Sequence, residues 1–219
     1  MIKARFLAAP IEEIANTVTH GFGLLLSIVG FIILVSVASI DGDIWHLTGS
    51  VIYGSSLVIL YAASTFYHGA TSPKLKRTLQ IVDHCCIYLL IAGSYTPLTL
   101  IVLRGSFGHG LLAFVWAFAV AGILLKVFFG KRFMIVSVLS YLLMGWIGVI
   151  AVQPLFAALG LMPIALIVAG GVAYSVGVIF FAWNRLPHNH AIWHLFVLAG
   201  SICHFLAISI YVIPYAVKA

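Results

Sequence analysis

Polar and apolar positions along this chain fall into long blocks. Seven apolar stretches, at about 17–39, 46–68, 80–103, 108–128, 133–153, 162–183 and 190–213, are each about as long as a membrane crossing requires. A helix rising about 1.5 Å per residue needs roughly 20 residues to cross a hydrocarbon core of about 30 Å. The pattern predicts an all-α integral membrane protein, a seven-transmembrane helix bundle forming a single domain over residues 1–219 with no soluble appendage. Loops of only a few residues make neighbouring helices antiparallel. The first apolar run, Gly21 to Ile40, exceeds the roughly 7–15 residues of a signal core and has no convincing cleavage motif, so it reads as a retained helix.

Composition agrees: 63% of residues are hydrophobic and 7% charged, against about 25% charged in soluble domains. The net charge of +6 is unevenly spread. Lys3, Arg5, Lys74, Lys76, Arg77, Lys126, Lys131, Arg132 and Arg185 fall on the side of the N-terminus, and only Arg104 and Lys218 on the other. The positive-inside rule therefore puts the N-terminus in the cytoplasm and the C-terminus outside it. For a bacterial chain this means the inner membrane. The basic excess is a topology signal and gives no reason to expect nucleic acid. Cys85, Cys86 and Cys203 all lie in apolar spans, an odd set of thiols that suits packing rather than a disulfide framework. Pro97 should kink the third span, with nearby hydroxyls bonding the freed carbonyls. The pairs Gly23/Ser27, Ser50/Gly54 and Gly171/Ser175 suit close helix approach. Trp45 fits an interfacial anchor.

Against this background, one acid stands out. Asp83 is the only Asp or Glu after Asp43, and it lies inside the third apolar segment. An ionisable group in hydrocarbon is rare without a partner. The topology puts His68 at the cytoplasmic end of span two, Asp83 six residues into a span three that begins near Arg77, and His190 and His194 early in span seven. Three helices thus present polar groups at a common depth. His190 and His194 are spaced i and i+4, about 40° apart on one helix face, so both rings can reach one ion. Ser64 and His68 repeat that spacing. Glu13, Asn16 and His20 form one polar face at the same end of span one.

Three neutral imidazoles with an open fourth position are the ligand set of a catalytic zinc ion, which brings the pKa of a bound water towards about 7. In such a site Asp83 would take a proton from that water or orient it, and Ser64 would hydrogen-bond the water or a substrate oxygen. Glu13, Asn16 or His20 would hold a ligand ring in its tautomer. The plainer reading of His68, His190, His194 and Asp83 is a polar cluster that fastens helices together. His46, His109 and His188 read as interfacial residues. His84 points about 100° away from Asp83 and reads as packing, and His204 as an interior residue that does not bind metal.

The blocks Glu13-x2-Asn16-x3-His20, Ser64-x3-His68 followed by Asp83, and His190-x3-His194 resemble the signature blocks of the progestin and adipoQ receptor family. The wording around them (Asp83-His84-Cys85-Cys86-Ile87-Tyr88 and Asn189-His190-Ala191-Ile192-Trp193-His194) is similar to the bacterial hemolysin III or membrane-homeostasis branch. The resemblance implies seven spans with a cytoplasmic N-terminus and a zinc ion on His68, His190 and His194, with Asp83 and Ser64 close to its bound water. Since the wider superfamily includes alkaline ceramidases, it also implies hydrolysis of an amide or ester bond in a membrane lipid. Only about a dozen residues precede Glu13, where the eukaryotic receptors have a long cytoplasmic region, so hormone or adipokine reception is not expected. Three alternatives compete: a non-enzymatic zinc-containing membrane sensor or regulator, a hemolysin-type cytolytic membrane protein, and an ion transporter. The last is disfavoured because the ionisable cluster is confined to one end, whereas transport sites usually lie near the midplane. No protein partner or oligomeric state is readable.

Overall fold

In the computed structural model, the described residues are 2–130 and 132–215, with side chains of the first helix described from Ile11 onward. Lys3, Arg5, Lys131 and Lys218 of the charge pattern therefore lie outside the described side chains. Among the described residues, seven helices are long and apolar enough to cross a membrane. They are α1 (Ile2–Asp41, apolar from Ile11), α2 (Ile44–Gly69), α3 (Pro73–Val102), α4 (Ser106–Phe129), α5 (Met134–Leu159), α6 (Leu161–Ala182) and α7 (Asn189–Val212). Each expected span is present.

Three boundaries move outward from the hydropathy reading. α1 begins well before residue 17, α3 starts at Pro73 rather than near residue 80, and α5 runs on to Leu159. Hydropathy marks the stretch that prefers hydrocarbon, whereas the hydrogen-bond ladder continues into polar flanks wherever propensity and caps permit. Pro73 occupies the first turn of α3, where a missing N–H costs nothing. Asp83 consequently lies ten residues into its helix rather than six.

α2 and α3 are the most enclosed helices, and α5 and α6 the least. Tyr53, Tyr61, Tyr88, Ile101, Met144 and Ile208 are among the side chains almost wholly removed from the surface. Large apolar residues such as Phe128, Ile135 and Leu161 cover the outside, the pattern expected where lipid replaces water as solvent. α1 and α2 approach closely at two glycines. A Cβ on Gly23 would stand 2.5 Å from the Tyr61 ring, and one on Gly54 would stand 2.4 Å from Phe31. This seats Tyr61 over α1 and fixes the rotation of α1 about its axis.

Pro97 does disturb α3, as a wide π turn over Leu98–Val102. Thr96 Oγ1 donates to the Ala92 carbonyl (2.9 Å) and Thr99 Oγ1 to that of Tyr95 (3.0 Å). A second break was not expected. α5 tightens to a 3-10 turn over Ile147–Ala151, just ahead of Pro154, whose ring cannot complete the ladder. Tyr95 plugs the gap from α3: its hydroxyl accepts from the Gly148 N–H (2.7 Å) and donates towards the carbonyls of Gly145 (2.8 Å) and Met144 (3.0 Å). Tyr95→Phe should leave these groups without a partner and destabilise the fold by about 1–3 kcal/mol. Thermal unfolding in detergent checks this, and an unchanged midpoint would remove the hydroxyl from the account.

The end of the bundle where α2 begins is fastened separately. Asp43 caps α2, accepting from the backbone N–H of Trp45 and His46, while His46 reaches back to the Asp43 N–H. This is a reciprocal capping box. Arg104 also meets Asp43, and His46 Nε2 lies 3.0 Å from the Tyr215 carbonyl. Partial burial works upwards on the Asp43 carboxyl, but the donors from His46, Arg104 and Trp45 together hold it well below the usual carboxylate range. His46 thus stands at a helix end, as expected, and is buried there as a fastening.

Candidate metal centre

The polar residues gather at the opposite end, where α1, α3 and α7 are near their starts and α2 is finishing. His68 stands in the last turn of α2, and His190 and His194 in the first two turns of α7. Their ring centroids form a near-equilateral triangle of 5.0, 4.9 and 4.7 Å. One nitrogen from each lies within 4.8 Å of the others. These three histidines can hold a metal ion.

Neighbouring groups decide which nitrogens are offered. Glu13 Oε2 lies 2.7 Å from His68 Nδ1. Carboxylates only accept, so Nδ1 carries the proton, and in the neutral ring a metal requires, Nε2 is the lone pair. That Nε2 is buried and has no protein partner. His194 repeats the logic: its Nδ1 is 3.3 Å from the Asn16 carbonyl and 3.2 Å from Thr19 Oγ1, leaving Nε2 for the centre. Such partners hold metal-ligating imidazoles in one tautomer and orientation. A buried imidazole lone pair with no hydrogen-bond donor, among three converging rings, fits a cation of the zinc type. Lys76 anchors the arrangement, its Nζ lying 3.1 Å from Glu13 Oε2 and 3.3 Å from the His68 carbonyl. Glu13→Gln should weaken metal affinity by about 10–100-fold while the chain stays folded. A competition titration against a chelating dye reads this, and an unchanged affinity would detach Glu13 from the site.

Ser64 and Asp83 lie on the adjoining wall and face the same cavity. They open onto a cavity of about 220 Å³ that also meets His190 and His194. It runs between α3, α5, α6 and α7 to Leu103, Leu111 and Ile208, and its wall is mostly apolar. The arrangement sets a metal-ligating triad, a hydroxyl and a carboxyl at one end of an apolar bore.

A family profile described as "Haemolysin-III related" matches residues 9–205. The chain belongs to the haemolysin-III-related family. This haemolysin-III-related chain is 49% identical over 205 residues to "Hemolysin-3" of Bacillus cereus, covering 94% of each chain. It is 47% identical over 200 residues to the "Hemolysin-3 homolog" of Bacillus subtilis (strain 168), covering 91% of this chain and 94% of that one. It is also 32% identical over 203 residues to the human "Monocyte to macrophage differentiation factor", covering 90% and 83%.

Not every residue of the haemolysin-III-related chain stands where its spacing suggested. His20 holds no ligand ring by a hydrogen bond. Its Nδ1 is 2.7 Å from Ser64 Oγ, and its ring stacks on His194 at 3.5 Å. Asn16 reaches two of the three triad rings, its backbone carbonyl facing His194 and its side-chain amide lying 3.4 Å from His68 Nδ1. His84 lines the cavity beside Asp83, and His204 lines it deeper, with Nε2 3.1 Å from the Ile167 carbonyl. Two residues escaped the sequence reading. Thr19 meets His194 from the turn between Asn16 and His20. Lys126, counted there only among the charges that set the topology, is 1% exposed in the last turn of α4 and interacts electrostatically with Asp83. A signal for it exists: Leu111, Val115, Ala119, Gly122 and Lys126 follow at steps of three or four and form the buried stripe of α4.

Proposed function

We propose that this haemolysin-III-related protein is a zinc-dependent intramembrane hydrolase that cleaves an amide or ester bond of a membrane lipid, in the manner of a ceramidase, and so serves membrane homeostasis. The observation that carries the reading is the juxtaposition of the His68, His190 and His194 triad with Ser64 and Asp83 at one end of an apolar cavity. His68, His190 and His194 would hold the ion. Glu13 and the Asn16 carbonyl keep two of those rings oriented. When bound, zinc supplies the positive charge that polarises a carbonyl oxygen and activates water at neutral pH.

The remaining work falls to side chains. The cavity takes the acyl chain and brings its carbonyl to the triad end, excluding bulk water along the way. Asp83 accepts the proton of the attacking water and returns it to the departing amine or alkoxide. The basic flanks at the triad end favour a cytoplasmic position for the N-terminus, with the site in the inner leaflet of a bacterial inner membrane.

The test is chemical. Purified protein is assayed for metal and incubated with a panel of amide- and ester-linked lipids in mixed micelles, with products read by mass spectrometry. The expected result is about one zinc per chain and cleavage that a chelator abolishes and zinc restores. Zinc without cleavage of any lipid would overturn the hydrolase and favour a sensor in which the ion sets helix packing. Dye release from lipid vesicles at comparable concentrations, independent of metal, would instead favour the lytic activity suggested by the relatives' names.

A further inference from the structure

His204 stands on α7 ten residues beyond His194, which at about 1.5 Å per residue is ~15 Å deeper along the bore. Protein encloses it, yet the side chain keeps accessible surface, and that surface is part of the cavity wall. α6 grips the ring along one edge. A Cβ on Gly170 would stand 2.3 Å from His204 Cδ2 and 2.6 Å from Nε2, so the absence of a side chain there lets the ring come this close. Nε2 lies 3.1 Å from the Ile167 carbonyl, and the Tyr174 ring meets the imidazole edge-on (5.5 Å, 77°). Tyr174 is itself tied to α7 through Ser201 Oγ at 2.9 Å, to which Tyr61 also donates from 2.9 Å. The imidazole is therefore held in one orientation.

The carbonyl places the proton. It can only accept, so Nε2 carries hydrogen. The ring is neutral, because a charged imidazole this far into the bilayer would need a carboxylate beside it, and the carboxylate on the cavity wall, Asp83, stands at the triad end. Nδ1 is then a lone pair, across the ring from the edge that α6 covers. Among the described residues no donor meets it, and it is not one of the polar atoms shut off from the cavity. We propose that His204 marks a second binding subsite, which accepts a hydroxyl carried midway along the hydrocarbon chain of the lipid substrate. The proposal deepens the hydrolase reading and rests on it for the chain's place in the bore, carbonyl at the triad. A plain alkyl chain lying against Nδ1 leaves a desolvated acceptor unmet, and a hydroxyl removes that cost by donating. The depth sets the position: an extended chain advances about 1.2 Å per bond, as a polypeptide does over three, so ~15 Å corresponds to roughly twelve bonds. Tyr53, also on the cavity wall and fifteen residues before His68, supplies another unmet polar group away from the triad, its hydroxyl buried without a partner.

The test is a binding series that needs no turnover. Octadecanoic acid, and the same acid hydroxylated at the third, sixth, twelfth or fifteenth carbon, compete with a fluorescent fatty acid for the detergent-purified full-length protein. The expected result is an optimum at the twelfth carbon, displacing the probe about 3–10-fold more strongly than the plain chain, the scale of one net hydrogen bond. A flat series, or an optimum at another carbon, would overturn the subsite and leave Nδ1 to water. His204→Phe keeps a ring in the seat and loses the lone pair. It should level the series while binding the plain chain within about twofold of wild type, since only the acceptor is removed. An optimum that survives in the folded variant also overturns the proposal. If the variant does not fold, the wild-type series decides alone. The same acids are then offered as amides and esters, with products read by mass spectrometry. An optimum at the twelfth carbon with no cleavage of any chain overturns the hydrolase reading and leaves the subsite standing. Cleavage with a flat series does the reverse.

Discussion

His190→Ala is expected to empty the metal centre, reducing zinc from about one equivalent per chain to a trace. The proposed site has three ligand nitrogens from two helices, and losing one would leave two imidazoles competing with water for the ion. The variant should nonetheless fold. His190 is only partly enclosed, with its ring at the edge of the triangle beside Phe181 (5.7 Å). A bound ion stabilises the state that binds it, by an amount set by its concentration relative to Kd. Wild-type protein should therefore melt higher with zinc than after chelation, and His190→Ala should melt like the chelated wild type under both conditions. The checks are metal analysis of detergent-purified protein and two melting curves. Full zinc retention by the variant would sink the three-histidine assignment.

The second large effect is on Asp83→Asn. The amide has nearly the shape of the carboxyl, so the packing of α2 on α3 and the triad should survive with zinc bound. What it cannot do is accept a proton from water. Removing a general base costs on the order of 10²–10⁴ in rate, and kcat should fall by that much with KM little changed. Zinc retained with more than half of wild-type turnover would mean that Asp83 is a packing group, and the proton would need another acceptor. Loss of zinc together with turnover would make it a ligand. Each outcome gives Asp83 a different role.

Much of this was legible in the chain itself. Hydropathy blocks gave all seven spans, and the i, i+4 spacing of His190 and His194 gave their shared face. Loop charge then placed His68 and Asp83 at the same end. These succeed because period and length are properties of one helix at a time. What stayed hidden depends on how helices turn against one another. Spacing put His20 on the polar face of α1 with Glu13 and Asn16, but its partner is Ser64 because Tyr61, seated over Gly23, sets the rotation of α1. Lys126 was read only as a topology charge, although its helical face matched that of Val115 and Ala119. The break in α5 went unread: Pro154 lies within the fifth span, but the remedy for it is a hydroxyl from α3.

The triad takes one ring from α2 and two from α7, and both outer fastenings from α1. In a chain inserted into the bilayer in order of synthesis, α1 and α2 arrive early and wait, with His68 already tied to Glu13, while four further spans are laid down. Only the docking of α7 closes the triangle. On the proposed zinc reading, capture of the ion is a late step of biogenesis, and a chain stalled or truncated before residue 190 should reach the membrane unable to hold metal. The centre would then double as a mark of completed assembly, one that a cell short of metal would leave unstamped.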